Sequence, residues 1–166
     1  MTEYVCRYRS PLGMMTLISD GTALTGLRFD GEKRVVGAPD AVIKTDLPVF
    51  ARTMAWLDVY FGGKAPEFTP PLSIKNETPF AKAVREIMMT IPYGQTMTYG
   101  EIAAKIAGRK GVKRVAARAV GGAAGRNPVC LIVPCHRVVG AGGALTGYAA
   151  GVDKKAALLE MERQSC

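Results

Sequence analysis

A chain of 166 residues with a net charge of +8, 48% hydrophobic and 22% charged, has an ordinary globular composition and is long enough for one compact domain or two small ones. That balance argues against disorder and low complexity, and no apolar run approaches the ~20 residues of a membrane-spanning helix. The first seven residues lack a basic segment followed by an apolar run, so no secretory signal is expected and the reading is of a soluble, cytoplasmic protein.

In chain order, residues 4–9, 14–18 and 24–29 are short β-prone runs. Ser10-Pro11-Leu12-Gly13 and Asp20-Gly21 are turn signals between them, which predicts a small antiparallel meander. A helix is predicted over 48–60, with Phe50, Met54, Leu57 and Phe61 on one face and Gly62-Gly63 ending it. Residues 62–77, with Pro66, Pro70 and Pro71, read as the connection between a strand-rich N-terminal subdomain, 1–75, and a C-terminal domain, 76–166. Thr78-Pro79 fits an N-cap followed by a first helical residue, and Phe80, Val84, Ile87, Met88 and Ile91 form the buried stripe of that helix.

Two short helices are predicted next, over 99–107 and 112–120, with a turn at 108–111 between them. The second places Val112, Val115, Ala116, Ala119 and Val120 on one buried face and Lys113, Arg114, Ala117 and Arg118 on the other. Helix, glycine-containing turn and basic amphipathic helix form the layout of a helix-turn-helix. Leu131-Ile132-Val133 is an apolar run that delivers Cys135 to a fixed place, and 141–151 is a loop of small residues. Asp153 is placed to cap a last helix ending near 163, with Val152 and Ala157 as a hydrophobic staple.

The charge is uneven. Residues 1–75 hold nine basic and eight acidic side chains, residues 76–166 thirteen and six, and residues 102–152 eight basic and none acidic. A long single-sign stretch attracts polyanions, and together with the helix-turn-helix pattern it points to nucleic acid. Cysteines stand at 6, 130, 135 and 166, and His136 is the single histidine, which leaves too few ligands for a zinc site and argues for no metal. Cys6, Cys130 and Cys166 read as small buried hydrophobes. Cys135 differs, because His136 beside it is a base able to take the thiol proton, and Arg137 is expected to favour the anion. A histidine base needs a carboxylate to fix its tautomer, and both Glu160 and Glu162 are candidates.

Pro134-Cys135-His136-Arg137-Val138 resembles the active-site motif of the O6-alkylguanine-DNA alkyltransferases, the methylated-DNA–protein-cysteine methyltransferases. Ile91-Pro92-Tyr93-Gly94-Gln95 with Thr98-Tyr99, Ala117-Arg118-Ala119-Val120-Gly121, Asn127-Pro128, and Gly147-Tyr148 with Leu158-Leu159-Glu160 match in order, over about residues 78–162. The resemblance implies an α+β chain, with a ribonuclease-H-like N-terminal sheet and helix before a mostly helical domain carrying a helix-turn-helix. It implies irreversible, single-turnover transfer of an alkyl group from O6-alkylguanine in double-stranded DNA, and from O4-alkylthymine, to Cys135, with no cofactor. The helix-turn-helix would enter the minor groove through Lys113, Arg114, Ala116, Ala117 and Gly121, with Arg118 replacing the flipped base. Cys135, water, His136 and Glu162 would form the base relay. Asn127 would hold the active-site hydrogen bonds, and Tyr99 would donate to the guanine. Pro134, Val138, Tyr148 and Ala149 would wall the pocket, and the protein would act as a monomer away from membranes.

The chain departs from the family at Arg85, where a tryptophan is usual, at Cys130, where a proline is frequent, and at Ala149, where some members have serine. Three other readings remain on the residues alone. One is a module that recognises alkylated DNA without reacting, one a Cys-His hydrolase or thiol oxidoreductase, and one a sequence-specific regulator.

Overall fold

The structure is a computed structural model that describes residues 2–32 and 40–165, so Cys166 lies outside the described residues. The chain divides into two compact units, Met1–Lys75 with Pro128–Ile132, and Asn76–Asn127 with Val133–Cys166. It is a mixed α+β protein, with an antiparallel-rich sheet in the first unit and helices dominating the second.

In the first unit β1 (Tyr4–Ser10), β2 (Gly13–Ser19) and β3 (Leu24–Phe29) form the expected meander. The sheet order is β3-β2-β1-β4, and β4 (Val42–Ile43) pairs parallel to β1. Gly26 pairs with Ile18 next to a register shift between Ile18 and Ser19, and a Cβ there would meet the Ile18 side chain at 2.9 Å. The outer edge of β3 is covered by chain from elsewhere. The Leu27 N–H donates to Pro128 O at 2.9 Å, and the Cys130 N–H donates to Leu27 O at 3.0 Å. This pairing places Pro128–Ile132 in the first unit, a segment that the sequence reading put in the second half. Helix α1 (Pro48–Phe61) starts on a proline at its first position and buries Phe50, Leu57 and Tyr60, in the same unit whose strands bury Met15, Leu17 and Leu27. Its buried face is Val49, Phe50, Thr53, Trp56, Leu57 and Tyr60, rotated from the predicted stripe, while Met54 and Phe61 are half-buried.

In the second unit α2 (Pro79–Met88) is capped by Thr78, whose side chain accepts from the Ala81 N–H. Arg85 forks onto Glu77 at 2.7 and 2.9 Å, which gives that position a partner on the chain just before the helix. β5 (Met97–Thr98) leads into α3 (Tyr99–Lys110), and Thr98 with Glu101 forms a complete capping box. Gly111, at φ 67°, closes α3. Its N–H donates to Gly108 O and the Val112 N–H donates to Ala107 O, the paired bonds of a Schellman ending.

The helix predicted over 112–120 is displaced. Helix α4 is Ala117–Gly125, and Ala116 before it is extended. Val112, predicted to be buried, is exposed, and Ala119 is exposed too; the buried face is Val120, Ala123 and Ala124. The Schellman ending uses Val112 to finish α3. A helix started there would also carry Lys113 and Arg114 at its positive end, which the helix dipole disfavours.

A 3-10 turn, Cys135–Arg137, runs into β6 (Val138–Val139), which pairs parallel with β5. A second 3-10 turn spans Ala141–Gly143, and α5 (Val152–Gln164) ends the unit. Gly151, not Asp153, stands before α5, and no side chain caps it. Helices α2, α3 and α4 pack on one another, and α5 packs on the Cys135–Arg137 turn. Among the described residues no helix is long and apolar enough to cross a membrane.

Candidate active site

Two tight turns aim Cys135. Pro134 sits at φ −80°, ψ 62°, and the Cys135 N–H donates back to Val133 O at 2.8 Å, an inverse γ-turn that the proline ring favours by fixing φ. The Arg137 N–H then donates to Pro134 O at 3.0 Å and closes the 3-10 turn. Pro134, His136, Arg137 and Val138 are buried, while Cys135 is partly exposed. The Asn127 Nδ2 amide donates to Val133 O at 3.1 Å and to Cys135 Sγ at 3.3 Å. One side chain therefore holds the turn and offers a dipole to the sulfur.

Behind the thiol is a buried charge cluster. His136 Nε2 lies 2.5 Å from Glu162 Oε2, and both residues are almost fully buried. Glu162 Oε1 accepts from Arg137 Nε at 2.8 Å and from the Gly94 N–H at 3.0 Å, and Oε2 also accepts from Arg137 Nη2 at 3.3 Å. Burial alone would raise the Glu162 pKa. The bonds and charges of His136 and Arg137 overcome it and hold the carboxyl at about 2. Burial lowers the His136 pKa despite Glu162, and Arg137 and Lys155 lower it further, so the resting ring is neutral. With a carboxylate facing Nε2, the ring proton belongs there, which leaves Nδ1 as the basic nitrogen.

Glu162 rather than Glu160 meets His136. Glu160 is exposed and pairs with Arg163 at 3.1 Å. The Arg137 guanidinium, expected to favour the thiolate, bonds Glu162 and the Ile91 carbonyl, each at 2.8 Å.

The cation near the thiol is one that the sequence reading missed. Lys155 is fully buried, and its Nζ donates to Thr146 O at 3.0 Å, to Tyr99 Oη at 3.4 Å and to Gly147 O at 3.5 Å. Tyr99 Oη donates to Thr146 O at 3.2 Å. Burial lowers the Lys155 pKa and the Cys135 charge opposes it; burial raises the Tyr99 pKa and the Cys135 charge adds to that. Both groups thus feel the sulfur. A signal was present in the sequence: Lys155, Leu158, Leu159 and Glu162 are the buried residues of α5, at i, i+3, i+4 and i+7, so two charges occupy core positions of an amphipathic helix. Gly121 lies against the Tyr99 ring, where a Cβ would stand 3.7 Å from it. Tyr148 is half-buried, and its carbonyl accepts from the Gly151 N–H at 2.9 Å; Ala149 is exposed.

The basic residues belong to the same unit. Lys113, Arg114, Ala116, Ala117 and Arg118 are all exposed, the last two being the first residues of α4. Lys113, Arg114, Val115 and Ala117 line an open groove of about 300 Å³ whose other wall is Gly100, Ala103, Ala104 and Ala107 of α3. Cys130, in the first unit, is buried. Among the described residues no group of three or more His, Cys, Asp or Glu side chains could hold a metal.

A partly exposed thiol, an amide donor on its sulfur and a buried histidine–carboxylate pair beside it define a protein built around a cysteine nucleophile. Two family models cover almost the whole chain. The ribonuclease-like domain of 6-O-methylguanine DNA methyltransferase matches residues 4–74, and its DNA binding domain matches residues 79–164. A methylated-DNA–protein-cysteine methyltransferase of Mycobacterium tuberculosis is 44% identical over 158 residues, covering 93% of this chain and 88% of its own. One from Methanosarcina acetivorans is 41% identical over 159 residues, covering 96% and 97%. The crystal structure of Mycobacterium tuberculosis OGT in complex with DNA superimposes with a TM-score of 0.83 at 39% identity, covering 100% of this chain and 95% of that one. The chain belongs to the 6-O-methylguanine DNA methyltransferase family.

Proposed function

We propose that this protein is a methylated-DNA–protein-cysteine methyltransferase that takes the alkyl group of O6-alkylguanine in duplex DNA onto Cys135, once per molecule. The observation that carries this reading is the set of partners around the sulfur: Asn127 Nδ2 at 3.3 Å, with the buried His136–Glu162 pair next in the chain and in space. His136 Nδ1 accepts the thiol proton through a bridging water, and the resulting imidazolium rests on Glu162. The thiolate, steadied by the Asn127 amide, attacks the alkyl carbon. The carbon–O6 bond breaks, and its electron pair passes to the purine. Tyr99 donates its phenolic proton to the purine, and the Lys155 ammonium stabilises the phenolate that this leaves. A thioether has no easy route back to thiol, so the protein is consumed.

The O6 atom is out of reach inside the base stack, so the nucleotide must be extruded. Arg118, exposed at the start of α4, is suited to fill the space it vacates. Ala116 and Ala117 allow the close approach that a minor groove demands. Lys113 and Arg114 face the phosphates, and the small-residue wall of α3 gives the sugar–phosphate chain room beside them. Gly121 acts by supporting Tyr99. Pro134, Val138, Tyr148 and Ala149 border the pocket, and the exposed Ala149 leaves room for larger alkyl groups. O4-alkylthymine is a second lesion, and the protein works as a cytoplasmic monomer.

The experiment is intact-mass measurement after incubation with an oligonucleotide carrying O6-methylguanine. The expected gain is one methylene unit, absent in Cys135→Ala. Reduced protein that binds the DNA yet gains no mass would sink the proposal.

A further inference from the structure

Glu162 is surrounded by donors. A carboxylate offers about four lone-pair sites, and four N–H groups point at them: His136 Nε2 and Arg137 Nη2 at Oε2, Arg137 Nε and the Gly94 N–H at Oε1. A proton passing from Nε2 to Oε2 would use the lone pair it already faces, but it would leave the other three donors, two of them on a single guanidinium, bonded to a neutral acid and would cost the guanidinium its ion pair. That guanidinium is itself held, with Nη1 on the Ile91 carbonyl at 2.8 Å and its face 5.6 Å from the Tyr93 ring centroid. Arg137 is therefore fixed at both ends and touches none of the groups that would meet the substrate.

We propose that Arg137 is a positioning residue for alkyl transfer: by forking onto Glu162 it keeps that carboxylate a permanent anion, so the proton leaving Cys135 stops on His136. The inference rests on the relay reading above and deepens it. The S–H bond breaks, its electron pair stays on sulfur, and the proton forms a bond to Nδ1. The Nε2 proton remains on nitrogen, because moving it would neutralise the carboxylate with which the guanidinium is paired. Without the fork, the imidazolium would pass its Nε2 proton to Oε2, and imidazole and carboxylic acid would share the charge as one stronger base. The charged groups acting on the ring are Glu162 and Lys155 on α5 and Arg137 on its own turn. Tyr99 meets the cluster through Lys155, and Tyr93 through Arg137.

His136 is the single histidine of the chain, so its ring signals are unambiguous by NMR. The test follows the acid limb of the rate–pH profile, using O6-benzylguanine as free base, together with the ¹⁵N titration of His136. Arg137→Gln keeps donors and removes the charge; Arg137→Lys keeps the charge and loses the fork. Arg137→Gln is expected to raise both midpoints by about one pH unit, the size of effect of a lost neighbouring charge, while Arg137→Lys stays nearer the parent. A folded Arg137→Gln that is slower at every pH by one factor, with unmoved midpoints, would reduce Arg137 to a structural brace. Infrared difference spectra of the unmutated protein give an arm that needs no variant to fold. A carboxylic-acid band from isotopically edited Glu162 above pH 5 overturns the proposal, and its absence supports it. Glu162→Gln separates the two readings. If it changes neither rate nor midpoint, the relay itself fails; if it does while Arg137→Gln does not, only the role of Arg137 falls.

Discussion

Replacing Lys155 with methionine tests whether the buried ammonium serves the fold or the reaction. Methionine is an unbranched side chain one atom shorter than lysine and removes the charge. On stability two effects oppose. The well-formed bond to Thr146 O at 3.0 Å is charge-assisted and contributes about 1.5–3 kcal/mol, whereas the contacts to Tyr99 and Gly147 at 3.4 and 3.5 Å are long. Against this, burying an ammonium costs several kcal/mol, consistent with the lowered pKa of Lys155. The net change in unfolding free energy should be below ~2 kcal/mol in either direction. In the proposed reaction there is no such cancellation, because Tyr99 would lose the cation proposed to support its developing phenolate. Removing a preorganised electrostatic partner of this kind costs on the order of 10²–10³ in rate, about 2.7–4 kcal/mol. Chemical denaturation gives the first quantity, and single-turnover transfer from an O6-methylguanine oligonucleotide gives the second. A variant destabilised by ~4 kcal/mol that still transfers at the parent rate would refute the argument and make Lys155 a strap for the 146–147 loop.

The acid limb of stability should fall in two stages. The His136 pKa is lowered in the fold from 6.5, so its contribution is full above about pH 6.5 and shrinks as the unfolded chain alone gains a proton; Glu162, lowered from 4.5 to about 2, adds a second loss from about pH 4.5 downward. Denaturation midpoints from pH 8 to pH 3 check this, and a flat profile across pH 6.5 to 5 would contradict the neutral buried imidazole. Arg118→Ala should slow repair in duplex DNA at least tenfold more than reaction with free O6-benzylguanine; equal losses would remove its base-replacement role. Lys113→Ala with Arg114→Ala should lower the slope of log affinity against log salt by about two, one for each phosphate contact. An unchanged slope would place the DNA backbone elsewhere.

Local chemistry made part of this architecture legible. The meander follows alternation and turn residues, and α2 follows Thr78-Pro79, because those signals act within a few residues. The two-residue β4 gave no comparable signal, since Val42 and Ile43 become a strand only by pairing with β1. The helix 112–120 was misplaced because a five-residue apolar spacing fits more than one register, and Gly111 spends Val112 on ending α3. In the site, Cys135 and His136 were readable as neighbours. The choice of Glu162 over Glu160 depended on helical phase, with one face of α5 turned inward and the other pairing with Arg163. Lys155 and the true partner of Arg137 were hidden for a different reason. A buried charge needs partners, and those of these two residues, Thr146, Tyr99, Ile91 and Glu162, are brought to them by tertiary structure.

The short β5–β6 ladder works as a caliper. Met97 pairs with Val138 and Thr98 with Val139, so Tyr99 begins immediately after one jaw and the Cys135–Arg137 turn ends immediately before the other. The backbone origins of phenol and sulfur are thereby set by four residues, upstream of the loop that starts at Gly140. That loop then returns to the site through the Thr146 and Gly147 carbonyls, so the phenol is anchored twice, at its backbone by the ladder and at its hydroxyl by the loop.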